Sequence, residues 1–281
     1  MNTLNQIKES ANFILKYTQL KPSVAVIAGS GISGFRDVFK VIETLDYSQI
    51  PHFAKTTVAG HSGKLDICEN NKQALLVFNG RFHFYEGRSA QEIIYPVRVM
   101  KALGVETLII TAAVGAINEK YNTGDIVALK DHINLTGNNP LIGKHYEEFG
   151  RRFPDMSCVY DKFLTQKAAN AAKNLKIKFH KGTYFGVSGP SYETPAEIQA
   201  YKKLGGDIVG MSVVYEAIAA AQMNIKVLGL TYVSNAAAGI NKKSLNHEEV
   251  LKAGKTASGK IVKIIYNLQR TNNNWASLKN L

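Results

Sequence analysis

Apolar side chains at Ile7, Ala11, Ile14 and Leu15 recur at helical spacing and predict an amphipathic helix at the start of the chain. Beyond it the pattern changes. Unbroken apolar runs of strand length lie at 24–28, 74–78, 107–111, 126–129, 207–210 and 226–233, and helical spacing recurs at 91–103, 195–204, 213–223 and 248–265. Strands that are apolar on both faces need cover on both faces, and their alternation with helices favours parallel pairing. The expected fold class is therefore α/β, a single domain over 1–281 with a mixed, mostly parallel central sheet flanked by helices. The last helix has a start signal, with Asn246 as N-cap and Glu249 three residues on; the polar stretch 266–281 reads as a frayed tail. Ligands of such sheets collect beyond the carboxyl ends of the strands, so functional residues are expected at 29–34, 111–115, 210–212 and 234–239.

Composition alters this picture little. The 45% hydrophobic and 20% charged residues are ordinary for a soluble enzyme of 281 residues. The net charge of +12 raises nucleic acid or an anionic membrane surface as partners, but the basic residues are scattered. Only Arg151-Arg152, Lys202-Lys203 and Lys242-Lys243 are adjacent pairs, so a solvated basic surface is expected, with no nucleic-acid partner. No apolar run approaches the length of a membrane span, and the first residues lack the apolar core of a signal peptide. Cys68 and Cys158 stand apart, without metal-ligand spacing, and read as two structural thiols of a cytoplasmic protein that needs no metal or cofactor.

Candidate chemistry is concentrated in Gly80-Arg81-Phe82-His83-Phe84-Tyr85-Glu86-Gly87. If this segment is a strand, Arg81, His83 and Tyr85 share one face and Phe82 and Phe84 pack on the other. A guanidinium, an imidazole and a phenol together suit an anion beside a hydroxyl-bearing group, such as phosphate next to a sugar. Gly29-Ser30-Gly31-Ile32-Ser33-Gly34 matches a dinucleotide fingerprint, but the next stretch is short and broken. The alternatives are a phosphate-ringing loop or a plain strand-exit turn. His61, between Gly60 and Gly63, is a surface histidine or an anion neighbour; His52, His132, His145 and His180 read as surface residues. Tyr192 and Glu193 precede a helix that starts at Pro195, so Glu193 either caps that helix or accepts from a heterocycle on which Tyr192 stacks. Asn235, at a strand exit, either caps or serves a purine edge.

Taken together, these segments resemble the trimeric purine nucleoside phosphorylase family. The matching residues include Ser30, Gly60-His61, the 80–87 segment, Pro96-Val97-Arg98, Asp131-His132, Arg152-Phe153-Pro154, the 189–194 turn, Gly210-Met211-Ser212 and Asn246-His247. They run in family order over nearly the whole chain. The resemblance implies the nucleoside phosphorylase fold and a pentosyltransferase, a purine-nucleoside phosphorylase. Its reaction would be reversible phosphorolysis of purine (deoxy)ribonucleosides to base and (deoxy)ribose 1-phosphate, in purine salvage, with inorganic phosphate as co-substrate. It also implies roles. Ser30, Arg81, His83, Ala113 and Ser212 would bind phosphate; His61 would sit near that anion and Glu86 would orient it. Tyr85, Met211 and His247 would hold the ribose, Tyr192, Glu193 and Asn235 the base. His83, Glu86 and Asn235 would be catalytic, and Phe153 would reach a neighbouring subunit's site in a homotrimer. A carboxylate at Glu193 accepts from the N1–H of inosine and guanosine, which favours 6-oxopurines. Related methylthioadenosine phosphorylases carry aspartate at the position of Asn235, which makes that activity the alternative; a catalytically silent nucleoside- or nucleic-acid-binding protein is a further one. Ala112 stands where the family usually has asparagine, and Tyr192 where some members have phenylalanine.

Overall fold

The computed structural model describes residues 3–54, 62–70, 73–241 and 247–270. Helix α1 (Thr3–Leu15) leads into β1 (Pro22–Ala28), followed by β2 (Lys40–Asp46), β3 (Lys64–Asn70), β4 (Gln73–Asn79) and α2 (Ala90–Ala102). Then come β5 (Thr107–Ala116), β6 (Ile126–Asn134), α3 (Lys162–Asn174), β7 (Phe179–Gly186) and α4 (Pro195–Lys203). The chain continues through β8 (Ile208–Gly210), α5 (Val214–Gln222), β9 (Lys226–Ala236) and α6 (His247–Arg270).

The strands form a nine-stranded mixed sheet in the order β2-β3-β4-β1-β5-β8-β7-β6-β9, and β9 also pairs with β5. That extra pairing closes β5, β9, β6, β7 and β8 into a ring, while β1, β4, β3 and β2 extend from it as a wing. The pairs β1–β4, β1–β5, β5–β9, β6–β7 and β7–β8 run parallel; β2–β3, β3–β4, β5–β8 and β6–β9 are antiparallel. Side-chain alternation sends Leu108 and Ile110 of β5 into one core layer and Ile109 into another. The first layer packs under α1, α2 and α5, the second under α3 and α6, so both faces are covered as the two-sided apolar runs require.

One edge of β5 changes partner part-way. Val24 to Ile27 of β1 pair with Thr107 to Ile110, whereas β8 takes the same strand only at Gly115 and Ala116. Between these two pairings β1 and β8 diverge, and the sheet splits open. This is where a ligand crevice forms in such architectures.

Several expectations need correction. Residues 80–87 are not a strand: Gly80 has φ 119°, and Phe84–Glu86 is a single 3-10 turn closed by Gly87 at φ 78°. Phe82 is buried as expected, but Phe84 is exposed, with its ring edge on Tyr215. Helix α6 runs through Arg270, and Leu268 and Gln269 are buried, so the chain is not frayed from 266. Asn246 lies outside the described residues, as does the side chain of Glu249. Strands β2, β3 and β7 and helix α3 have no counterpart among the predicted elements. Of the two cysteines only Cys68 is buried; Cys158 is exposed.

Candidate active site

The split in the sheet is occupied by a pocket walled by the exits of β1, β5, β8 and β9 and by the 81–85 segment. Its floor depends on close backbone approach. A Cβ on Gly29 would lie 2.4 Å from the carbonyl oxygen of Thr111, so only glycine lets β1 leave the sheet against β5 here. The Gly29 N–H donates to Thr111 Oγ1 at 3.0 Å, and that hydroxyl donates to the Ile27 carbonyl at 2.9 Å. The loop then turns, with Ile32 N–H donating to the Gly29 carbonyl and Gly31 at φ 74°. It is fastened from outside: Tyr232 Oη donates to the Ser30 carbonyl, and Ser258 of α6 bonds both the N–H and the carbonyl of Ser33. A 3-10 turn at Phe35–Asp37 follows in place of a helix, which removes the dinucleotide reading of the glycines.

Arg81 is buried beside this loop. Its Nη2 donates to the Thr111 carbonyl at 2.5 Å, and its Nε lies 3.6 Å from Glu216 Oε1, with both side chains 3% exposed. Glu216 is in the first turn of α5. His83 is equally enclosed. Glu86 Oε1 accepts from the His83 backbone N–H at 2.9 Å and lies 2.9 Å from its Nδ1, so a proton on Nδ1 directs Nε2 away from the carboxylate. The His83 ring stacks on Tyr85 with centroids 4.6 Å apart. Burial pushes the Tyr85 phenol up to about 12, which keeps it a neutral hydroxyl.

Ser212 enters from the exit of β8. Its N–H donates to Tyr184 Oη at 3.1 Å, and a Cβ on Gly210 would meet that hydroxyl at 2.4 Å. The next residue, Val213, is fully buried at φ 71°, ψ −52°, and Val214 N–H donates back to the Ser212 carbonyl at 2.8 Å. This is a tight γ-turn in a conformation that a β-branched residue strongly disfavours. The strain sits directly behind Ser212.

At the other end of the pocket the groups are less enclosed. Thr194, not Glu193, caps α4, its hydroxyl accepting from Glu197 N–H in a reciprocal box, so Glu193 is released from capping duty. Burial raises the Glu193 carboxyl above the usual range for a glutamate, with a further push from Glu197. Tyr192 beside it is 43% exposed. Asn235 is oriented on both sides of its amide: Oδ1 accepts from Ser234 Oγ at 2.6 Å and Nδ2 donates to the Ala236 carbonyl at 2.9 Å. The second N–H of Nδ2 remains for a ligand.

The pocket thus brings together Ser30, Arg81, His83, Tyr85, Ala113, Tyr192, Glu193, Met211, Ser212 and Asn235, and Glu86 stands behind His83. Phe153 is elsewhere, 86% exposed on a separate cleft that half-buried His132 also borders. His132 is no free surface residue, since its Nδ1 lies 3.1 Å from the Tyr160 hydroxyl. His61 lies outside the described residues, as does the side chain of His247 at the start of α6. Thr111 and Ser234 lie in the strand-exit windows 111–115 and 234–239 expected to hold functional residues, though the sequence gives neither a role of its own. Sequence reasoning missed Tyr184 and Glu216, and no sequence signal marks them.

The family model of the phosphorylase superfamily matches residues 23–270. Purine nucleoside phosphorylase 1 of Bacillus subtilis is 44% identical over 261 residues, 93% of this chain and 96% of the relative. The structure of Schistosoma mansoni purine nucleoside phosphorylase in complex with adenosine superposes with a TM-score of 0.89 at 35% identity, covering 97% of this chain and 99% of that one. A schistosoma purine nucleoside phosphorylase in complex with hypoxanthine gives 0.87 at 36% identity, over 95% and 98%. The chain belongs to the phosphorylase superfamily, as one of its purine nucleoside phosphorylases.

Proposed function

We propose that the pocket cleaves the glycosidic bond of 6-oxopurine nucleosides, inosine and guanosine, with phosphate held at the Arg81 end and the base at the Glu193–Asn235 end. The observation that carries this reading is the pairing, across one pocket, of a buried guanidinium and carboxylate-braced imidazole with an oriented amide and a desolvated carboxylate.

Phosphate would be bound by Arg81, His83, Ser30 and Ser212 with the backbone of Ala113, and Tyr85 and Met211 would hold the sugar. His61 and His247 are proposed for the phosphate and the sugar on sequence resemblance. A phosphate oxygen forms the new bond to C1′ as the bond from C1′ to N9 breaks, and the electron pair of that bond passes into the purine. The bound dianion stabilises the cationic sugar in between, so no enzyme carboxylate pair is required. Negative charge collects on the base toward N7, where the free N–H of Asn235 donates more strongly than to the neutral nucleoside. Asn235 stabilises that charge; it does not transfer a proton. Glu193, charged, accepts from the N1–H that 6-oxopurines carry and neutral 6-aminopurines lack. One relative's structure holds hypoxanthine and another adenosine, so the preference rests on Glu193 and Asn235 in this chain.

The exposed Phe153 supports a homotrimer in which it reaches the neighbour's pocket, and the exposed thiol of Cys158 supports the reducing cytosol as its location. Among the described residues no helix is long and apolar enough to cross a membrane. The deciding experiment is base release from inosine, adenosine and methylthioadenosine with and without phosphate. Phosphate-dependent release from inosine well ahead of the other two is expected. Release that ignores phosphate sinks the phosphorolysis, and faster cleavage of methylthioadenosine sinks the 6-oxopurine preference.

A further inference from the structure

A second cleft, of about 690 Å³, is lined by Arg98, Arg88 and Tyr95 in and just before α2, by Phe53, and by Lys144 and Tyr146 from the loop after β6. Arg98 is the unusual member. Only 5% of it is exposed, yet no carboxylate and no hydrogen-bond acceptor among the described residues meets its guanidinium, which stacks over the Phe149 ring at 4.7 Å. Buried charges are normally paired, because an isolated one loses its hydration without return. Here burial drags the Arg98 side chain down to about 10, opposed only weakly by Tyr146.

The other charges of the cleft are already engaged. Arg88 lies 3.2 Å from Glu92, and His52 lies 2.6 Å from Glu9. Lys144, exposed at the rim, has its ammonium 5.1 Å from the Tyr146 ring and no carboxylate partner among the described residues. Among the described residues, two cations of one cleft, Arg98 and Lys144, thus have aromatic rings but no carboxylate beside them, a match for the double charge of a phosphate group. The planar guanidinium supplies the fork that phosphoryl oxygens accept from, and the lysine supplies a mobile point charge.

We propose that this cleft is a second anion site, which takes the phosphate group of inorganic phosphate or of a small phosphomonoester between Arg98 and Lys144. It shares no residue with the pocket at the split in the sheet, so its occupancy is independent of the reaction. The phosphorylated sugar released by the reaction belongs to the same chemical class, and this places a phosphate-sensing site on the same chain as a phosphate-consuming one.

The test is equilibrium dialysis of radiolabelled inorganic phosphate, and separately of ribose 5-phosphate, against the intact enzyme at low ionic strength. Two phosphate groups per chain are expected for the unmodified protein, one for Arg98→Met and one for Arg81→Met, each variant losing a different equivalent. Whichever compound fills the Arg98-dependent equivalent more tightly identifies the source of the group. Should Arg98→Met fail to fold, Lys144→Ala carries the test, because its exposed side chain is not part of the core; it should weaken the second equivalent about threefold. One equivalent in the unmodified protein, or two undiminished equivalents in both Arg98→Met and Lys144→Ala, overturns the proposal.

Discussion

The two ends of the pocket are built differently. At the end proposed for phosphate, Arg81 and His83 are almost completely buried, and each is held by a second group: Arg81 by the Thr111 carbonyl and Glu216, His83 by Glu86. Ser212 is pinned through its N–H to Tyr184 and backed by a strained γ-turn at Val213. At the end proposed for the base, Tyr192 and Glu193 belong to the loop between β7 and α4, Tyr192 is exposed, and Asn235 is braced through its amide. The difference suits what each end is proposed to bind. A small dianion that is the same in every turnover gains from a rigid, desolvated cradle whose dipoles need not reorganise. A bulky flat base that must enter and leave gains from an open wall that closes on the ligand.

The contrast can be broken from either side, and the largest effect is expected at the buried end. Arg81→Met should lower kcat/KM for phosphate by about a thousandfold, the scale for truncating one member of a buried charge pair, while nucleoside binding without phosphate stays near normal. A loss shared equally by both substrates would mean that the two ends are not separate. Asn235→Ala should reduce turnover on inosine by about a hundredfold, the scale for one transition-state hydrogen bond. Near-normal turnover removes Asn235 from the reaction. Glu216→Gln keeps the shape and deletes the charge facing Arg81. An increase of about tenfold in KM for phosphate is expected, with KM for inosine and kcat little changed, together with a lower melting temperature. A drop in kcat alone contradicts a positioning role.

The smallest and most diagnostic effect concerns pH. Glu193 holds its proton more tightly in the folded protein than an ordinary glutamate, mainly through burial. If its carboxylate reads N1–H, kcat/KM for inosine falls as pH drops through that raised value, above the ordinary glutamate range. The linkage runs in the opposite direction for stability. The folded state binds this proton better than the unfolded chain, so stability declines as pH rises through the same window. Glu193→Gln should then raise the melting temperature at neutral pH while weakening inosine. If thermal stability and inosine affinity fall together at neutral pH, Glu193 is structural.

How much of this was legible in the sequence depended on whether a residue's surroundings are local. The doubly covered strands β1, β4, β5 and β9 announce themselves as apolar runs because both faces are buried. The edge strand β2 mixes charged, polar and apolar residues with only Leu45 buried, and β7 opens on the half-buried or exposed Phe179, His180 and Lys181 before its buried end, so neither forms a run. Helix α3 packs mostly small alanines, which leaves a weak apolar stripe. The 80–87 segment gave the right side chains by the wrong geometry, since the strand it suggested is a 3-10 turn. What brings Arg81, His83 and Tyr85 together is the turn at Phe84–Glu86 and the glycines bounding it. Glu216 and Tyr184 act on Arg81 and Ser212 from distant stretches of chain, and no spacing rule could connect them.

Because β5 joins the wing to the ring through β1 and closes the ring on β9, the pocket inherits the cost of the most distant strand pairing among the described residues. Thr107 pairs with Lys226, and Gly115 with Val209 and with Asn235, so the β5, β8 and β9 walls of the site meet across about a hundred residues of chain. The wing, by contrast, is assembled from neighbours such as β3 and β4, which are separated by a short connection. Loop-closure entropy therefore falls most heavily on the contacts that create the crevice, and topologies of this kind fold slowly. In a refolding chain, recovery of catalytic turnover should report closure of the ring, and a destabilising change anywhere along β9 would reach the active site before it reached the wing.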